Sequence, residues 1–140
     1  MFPDEAEDEY FELVKLALRT GCEYVDLELG WKSERLEAVR FHKGHSHILA
    51  SWHDWSGRWK WNSNEALERY MQAARYGNVA KLVSKATSFE DNLQLEAFRA
   101  HVSSLPTSRP LLAINMGEAG QVSRILNPVL SPRHAREPTV

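Results

Sequence analysis

The order of the predicted elements indicates an α/β fold in which one helix is followed by four strand–helix units. Two observations predict it: short aliphatic runs alternate with longer segments that have apolar residues at helical spacing, and glycine or proline stands at most junctions. Strands that alternate with helices predict a parallel sheet with right-handed crossovers. Two architectures fit, a small open doubly wound sheet and part of a (β/α)₈ barrel, which in complete form needs about 250 residues.

The first half of the chain contains two helices and two strands. The first helix is predicted over residues 3–20, because a proline suits its first turn, acidic residues fill that turn and Gly21 ends it. The first strand is predicted over 23–29, the second helix over 33–43 and the second strand over 47–53.

The second half repeats the pattern and ends in an irregular tail. Its elements are, in order, a helix capped near Ser63 or Asn64 and ended by Gly77, a strand over 79–84, a helix from Ser88, a strand over 111–116 and a short helix from Gln121 to Leu126. Ser88 and Asp91 are spaced as a capping box. Residues 131–140 hold two prolines and no periodicity, so we expect a folded domain over 1–130 and a disordered tail.

Composition limits the classes of function that the chain can have. A hydrophobic content of 43% and a charged content of 26% predict a globular protein, and a net charge of −2 gives no electrostatic footprint for nucleic acid. The one cysteine, Cys22, excludes an internal disulfide and favours a reducing, intracellular compartment. No apolar run approaches the length of a membrane span, and the acidic start of the chain does not resemble a signal peptide.

A histidine and a lysine on successive strands are the strongest functional signal. Because side chains alternate along a strand, Ser51 and His53 share one face, and Lys81 shares a face with Val79 and Val83. If the strands are parallel neighbours, the imidazole and the amine converge. An amine desolvated among aliphatic side chains is a carbonyl nucleophile, and an imidazole beside it can carry protons, which is what Schiff-base chemistry needs. The alternative is a snorkelling lysine and a histidine with structural hydrogen bonds only.

Two acids on the first strand could act on that pair. Asp26 and Glu28 share one face, while aliphatic residues occupy the other, which is unusual for a buried parallel strand. We expect the two carboxylates to orient His53 and Lys81 electrostatically. The alternative is a solvated face of an edge strand.

The segment 52–61 holds four of the five tryptophans, interleaved with Arg58 and Lys60. Aromatic and basic residues in this pattern could stack nucleobases. No wider basic patch supports nucleic-acid binding, so we expect a loop that its indoles pin over the sheet.

Two further polar groups are weaker signals. Residues 117–124 form a glycine-containing turn that leads into a helix, and they lack the Walker A pattern. The backbone amides of this turn, together with Arg124, could bind a carboxylate. The alternative is that Arg124 lies on the surface without a ligand. His42, His45 and His47 lack a defined ligand geometry, so we interpret them as solvated rather than as a metal site.

Six segments resemble type I 3-dehydroquinate dehydratase, particularly its fungal forms in the pentafunctional AROM polypeptide and the related quinate repressor of filamentous fungi. In family order over almost the whole chain, they are residues 23–29, 48–54, 79–83, 90–93, 113–117 and 120–128. By that resemblance Lys81 is the Schiff-base lysine and His53 the general base and acid. The other implied site residues are the carboxylate-holding Arg124, the pocket-lining Met116 and the tuning acids Asp26 and Glu28. The resemblance implies no metal or organic cofactor.

The resemblance covers only the fourth to seventh strands of the family's eight, so it implies half of a barrel. The family's substrate-holding residues on the second, third and eighth strands have no counterpart in this sequence. We therefore expect negligible catalysis by this chain alone, and association of its open barrel face with a second copy.

The resemblance leaves two biological roles open. The sequence favours the module of a quinate-pathway transcription repressor located in the nucleus. Such a module would bind a ligand of the quinate or 3-dehydroquinate class and a transcription activator, without direct nucleic-acid contact. The alternative is a fragment of an active AROM dehydratase in the cytoplasm. A third reading, a generic phosphate-binding α/β protein, would bind phosphate at the turn over residues 117–120.

Overall fold

The alternation of helices and strands in the sequence is reproduced by the structure, a computed structural model that describes residues 6–130. Its elements are α1 (Glu7–Arg19), β1 (Tyr24–Glu28), α2 (Ser33–His42), β2 (His47–His53), α3 (Asn64–Tyr76), β3 (Val79–Lys85), α4 (Glu90–Ser103), β4 (Leu111–Met116), a 3₁₀ turn (Glu118–Gly120) and α5 (Val122–Leu126). The predicted tail over 131–140 and the predicted first turn of α1 at Pro3 fall outside the described residues.

The four strands form one parallel sheet in the order β1-β2-β3-β4. A doubly wound sheet requires the strand order to reverse at a switch point, and this order does not reverse. Right-handed crossovers between sequential neighbours place the intervening helices on the same side, as in a (β/α)₈ barrel. The structure therefore confirms the α/β class and selects the barrel-type arrangement over the doubly wound one.

The main hydrophobic core lies on the helix side of the sheet. Strand residues of one parity belong to the core cluster, namely Val25, Leu27, Ile48, Ala50, Ala80, Leu82, Leu111 and Ala113. They pack against Phe11 and Val14 of α1, Leu36 of α2, Tyr70 of α3 and Phe98 of α4, all buried. The strand residues of the other parity lie on the opposite face of the sheet, which is here called the open face. Its polar members include Asp26, Glu28, Ser51, His53 and Lys81.

Local interactions explain where two of the helices begin. The Ser63 hydroxyl accepts a hydrogen bond from the Ala66 amide at 3.2 Å, which confirms Ser63 as the cap of α3. Helix α4 begins at Glu90 rather than at Ser88. The Asp91 carboxylate still accepts from the Ser88 amide at 3.2 Å and from the Thr87 amide at 2.7 Å, so the acidic half of the predicted capping box is formed.

The tryptophan-rich loop between β2 and α3 is held by two buried indoles. Trp59 and Trp61 belong to the core, and the Trp61 indole N–H donates to Asn115 at 2.7 Å. These rings cannot stack nucleobases, so the pinned-loop interpretation is confirmed for them. Trp55 differs because its side chain is 61% exposed. No helix within residues 6–130 is long and apolar enough to cross a membrane.

Candidate active site

The open face brings the predicted site residues together because the strand register aligns them. Ser51 of β2 is the direct partner of Glu28 on β1 and of Lys81 on β3. Asp26 and His53 lie two residues from Glu28 and Ser51 on the same face. Two carboxylates, an imidazole and an amine therefore meet over three adjacent strands, as the alternation of side chains predicted.

The four groups form two pairs across the sheet. The Lys81 ammonium donates to the Asp26 carboxylate at 2.5 Å, and Nδ1 of His53 contacts the Glu28 carboxylate. The side chains of Lys81 and His53 are only 23% and 18% exposed, so most of each has left bulk water. Although β1 is an edge strand, both of its acids are paired across the sheet, while the Asp26 side chain remains 44% exposed and that of Glu28 30%. This arrangement keeps the imidazole and the amine beside each other with fixed partners.

Tyr10 of α1 fixes the end of β1 that carries the two acids. Its hydroxyl accepts from the Glu28 amide at 2.9 Å and donates to the Asp26 carbonyl at 3.4 Å. Burial is the main cause that raises the pKa of Tyr10 to about 12, so the phenol stays neutral at physiological pH. A neutral phenol at this position holds the backbone without adding charge to the open face.

A cavity of about 870 Å³ opens beside these two pairs. Lys81 and His53 line it together with Met116 and Arg124, so four of the six predicted site residues face one space. Asp26 and Glu28 do not line the cavity but hold the two residues that do. The remaining walls are apolar and are supplied by Val83, Leu112, Ile114, Ile125, Leu126, Pro128 and Leu130, with Asn127 and Trp55 completing the lining.

Trp55 is a site residue that the sequence interpretation missed. Its ring stacks on the His53 imidazole with centroids 5.7 Å apart and planes 13° from parallel, and it also lines the cavity. We grouped it with the indoles that pin the loop. Its position two residues after His53 was the available signal, because a side chain so close to a strand end can fold back over that end.

Arg124 reaches the cavity because α5 is fastened to β4. The Asn115 amide donates to the Ser123 hydroxyl at 2.9 Å, and that hydroxyl donates to the Gly120 carbonyl at 2.7 Å. Gly120 packs so closely that an added Cβ would lie 2.5 Å from the Asn115 carbonyl oxygen. The glycine-containing turn thus serves to place a cation at the cavity, with the Arg124 side chain otherwise in solvent.

The histidines of the α2–β2 connection lie away from this cavity. His42 donates from Nδ1 to the Ala38 carbonyl at 2.8 Å, and the ring of His47 packs on that of Tyr24. Within residues 6–130 no three His, Cys, Asp or Glu side chains are grouped so as to hold a metal ion.

Comparisons with known proteins match the chain to one family. The family described as type I 3-dehydroquinase matches residues 1–135. The pentafunctional AROM polypeptide of Mycosarcoma maydis is 58% identical over 132 residues, and that of Schizosaccharomyces pombe is 43% identical over 133 residues. Each match covers 94% of this chain and 8% of the relative, so the chain spans a small part of these polypeptides.

Solved structures show the same fold. The dehydroquinate dehydratase and shikimate dehydrogenase of S. pombe AroM superposes with a TM-score of 0.86 at 42% identity, over 100% of this chain and 27% of that one. A 3-dehydroquinate dehydratase from Geobacillus kaustophilus gives 0.72 at 29% identity, over 86% and 47%. A type I enzyme from Clostridium difficile gives 0.78 at 21% identity, over 89% and 50%, which supports the fold alone.

Proposed function

Because the chain belongs to the type I 3-dehydroquinase family, we propose that its open face carries the Schiff-base portion of a 3-dehydroquinate dehydratase site within an AROM-type polypeptide. The observation that carries the proposal is the pairing of Lys81 with Asp26 and of His53 with Glu28 at one cavity. An amine and an imidazole that share a cavity with a cation suit a substrate that has both a ketone and a carboxylate.

The residues would divide the reaction between them. The Lys81 ammonium gives a proton to His53, and its lone pair then adds to the ketone carbon of the substrate. His53 returns the proton to the resulting hydroxyl, which leaves as water, so that a protonated imine remains. His53 next removes the proton beside the imine and passes it to the departing hydroxyl, which leaves as a second water. Arg124 would hold the substrate carboxylate, and Met116 would contact the substrate ring.

The curated relatives described above are AROM polypeptides, so they support the enzyme reading over the repressor reading that the sequence favoured. The repressor reading requires quinate as the ligand, a transcription activator as the partner and a nuclear location. Such a module would have to bind its ligand without using the amine of Lys81. The two readings therefore differ in one chemical event, the formation of an imine.

Reductive trapping tests that event directly. The chain is incubated with 3-dehydroquinate and borohydride, and the modified lysine is identified by peptide mass spectrometry. We expect an adduct on Lys81 that Lys81→Met abolishes. Lys85→Met is the matched control, because Lys85 lies on the same strand in an exposed position. Quinate, which has no ketone, should give no adduct.

The outcomes separate the two readings. Binding of quinate and 3-dehydroquinate with equal affinity, and no adduct on Lys81, would contradict the enzyme reading and favour a ligand sensor. An adduct spread over the exposed lysines would contradict the assignment of Lys81 as the nucleophile.

We also propose that the 140-residue chain, produced alone, self-associates around its open cavity. The apolar side chains that remain most exposed there are Ile125 at 82%, Trp55 at 61%, Leu126 at 49% and Leu130 at 48%. A group of exposed apolar residues that borders a cavity is characteristic of an interaction surface.

A further inference from the structure

Ser51 lies at the centre of the open face, and the mechanism above gives it no task. Its residue partners in the register are Glu28 on one side and Lys81 on the other. Its exposure is 0%, which makes it the most deeply buried polar residue on that face. A serine in this place has a glutamate and the reacting lysine as its nearest cross-strand neighbours on the same face.

The Ser51 hydroxyl has no hydrogen-bond partner within residues 6–130. Buried hydroxyl groups are usually paired, because an unpaired one forfeits its interaction with water. Ser84 offers a comparison: it is buried on the neighbouring strand β3, on the helix side of the sheet, and its hydroxyl donates to the Trp59 carbonyl at 3.5 Å. Of these two buried serines, the one without a partner lies among the reacting residues.

Formation of an imine changes the surroundings of Ser51. At rest the Lys81 nitrogen is held by Asp26, two residues along the strand from the position opposite Ser51. Asp26 does not line the cavity, so a bond from that nitrogen to a carbonyl carbon in the cavity draws the nitrogen away from Asp26. The protonated imine then has a single N–H, and Ser51 is the polar residue directly beside Lys81 on the adjacent strand.

We propose that Ser51 is a positioning residue whose hydroxyl accepts a hydrogen bond from the Lys81 nitrogen once that nitrogen bonds to a carbonyl carbon, and donates its own proton to Glu28. The proposal rests on the proposed function and adds a residue to it. The hydroxyl is unpaired at rest because its partner arrives with the reaction. Pairing with a positive N–H favours the imine over the resting ion pair.

The test uses glyoxylate, a small aldehyde that carries a carboxylate, with cyanoborohydride to reduce each imine to a stable amine. Peptide mass spectrometry gives the labelling of Lys81 relative to Lys85, which serves as an internal reference on the same strand. We expect Ser51→Ala to lower this ratio roughly tenfold, as the loss of one hydrogen bond to a charged group would. Ser51→Thr, which keeps the hydroxyl, should restore it, and Ser84→Ala should leave it unchanged.

A second measurement separates positioning from structure. Removal of a hydroxyl that is unpaired at rest should raise the denaturant midpoint of Ser51→Ala, even as the labelling of Lys81 falls. A lower midpoint would show that the hydroxyl is already paired, and would overturn the proposal. If Lys81 is labelled in Ser51→Ala to the same extent as in the wild type, the proposal for Ser51 is overturned while the proposed function stays intact. No preference for Lys81 over Lys85 in the wild type would overturn the proposed function and this inference with it.

Discussion

Asp91 is a buried carboxylate whose partners hold it in the charged form. Burial by itself would raise its pKa, but hydrogen bonds from the Thr87 amide and hydroxyl, the Lys60 ammonium and the Ser88 amide outweigh that effect and lower the pKa from 3.8 to about 2. Through these bonds the residue joins the tryptophan-rich loop to the start of α4.

The lowered pKa predicts a pH-dependent contribution to stability. The folded state binds the proton more weakly than the unfolded chain, so Asp91 stabilises the fold fully above pH 4 and loses this effect as the pH falls toward 2. We expect Asp91→Asn to cost about 2 kcal/mol near neutral pH and much less near pH 2. Urea unfolding of both proteins across this range measures the difference.

Glu90→Gln is the matched control, because Glu90 is the exposed neighbour of Asp91 in the same first turn. A cost of Asp91→Asn that stays constant between pH 2 and 5 would mean that the charge is not what stabilises the loop.

At the scale of single residues, alternation along the strands predicted which side chains meet, on the condition that the strands are parallel neighbours. It placed Ser51 and His53 on one face of their strand and Lys81 on one face of the next strand, and the register confirms that these faces are the same, with Ser51 paired to Lys81. It could not predict that Trp55 stacks on His53, because a loop side chain has no periodicity. Nor could it show that the Ser51 hydroxyl lacks a partner, since that depends on distances to groups on other strands.

Among the contacts between elements, the one between α5 and β4 leaves no space for an added side-chain atom at Gly120. Gly120 lies against the backbone of Asn115, where an added Cβ would be 2.5 Å from a carbonyl oxygen and 2.7 Å from the carbonyl carbon. Backbone cannot move aside as the end of a flexible side chain can, so α5 would have to shift and would carry Arg124 with it.

We predict that Gly120→Ala destabilises the fold by roughly 1–3 kcal/mol, as overpacking does in well-packed interiors. Chemical unfolding measures the cost. Gly30→Ala is the matched control, because nothing lies within 4 Å of a Cβ at that position, and it should be nearly neutral. Equal effects of the two substitutions would show that α5 is not held by close contact with β4.

Element types followed from the sequence more closely than element boundaries did. The strands β2 and β4 have the predicted limits, because aliphatic runs bounded by polar or proline residues leave little choice. Helix α4 begins at Glu90, two residues later than predicted from Ser88. The Asp91 side chain satisfies the amides of Thr87 and Ser88, which a helix backbone would leave unpaired at its start in any case, so the capping pattern alone does not fix the first helical residue.

For the whole molecule, we predict negligible turnover of 3-dehydroquinate by this chain alone. Positioning of a substrate can supply about 7–11 kcal/mol of a barrier. Within residues 6–130, the cavity offers one further cation beside the reacting pair, the exposed Arg124. The absorbance of the conjugated ketone product measures the rate. A turnover number above about 1 s⁻¹, ordinary for an enzyme, would contradict the prediction.

Self-association of the chain is a second prediction at this scale. The aliphatic residues of the open face are less exposed than the sequence led us to expect, since Val79, Val83 and Ile114 are buried and Leu49 and Leu112 half-buried. The surface available for association is instead the rim of the cavity, with Trp55 and Ile125 as its most exposed members.

We expect sedimentation at micromolar concentration to show a dimer or larger species. The double substitution Trp55→Ser with Ile125→Ser should shift it toward the monomer, because it removes two exposed apolar side chains from the rim. Phe41→Ser is the control, since Phe41 is 84% exposed on α2, away from the cavity. A wild-type monomer at these concentrations would contradict the prediction.

The order of elements predicted a parallel sheet with helices between its strands, but the choice between barrel and doubly wound sheet could not be made from the residues alone. That choice depends on strand order, and local patterns do not encode which strands become neighbours. Resemblance to a known family was needed to make it, and the sequential order of β1 to β4 confirms it.

The one-sided core has a consequence for how such a chain can evolve. The residues that hold the fold together lie on the helix side, while Lys81, His53 and their partners lie on the other. Substitutions of these polar residues can therefore accumulate with little loss of folding stability, whereas the buried Val79, Val83 and Ile114 of the same face remain constrained. A descendant of a dehydratase could lose its nucleophile by drift, keep its shape and still recognise the same acids. Divergence from enzyme to sensor requires no new fold on this scaffold, only relaxed selection on one face of the sheet.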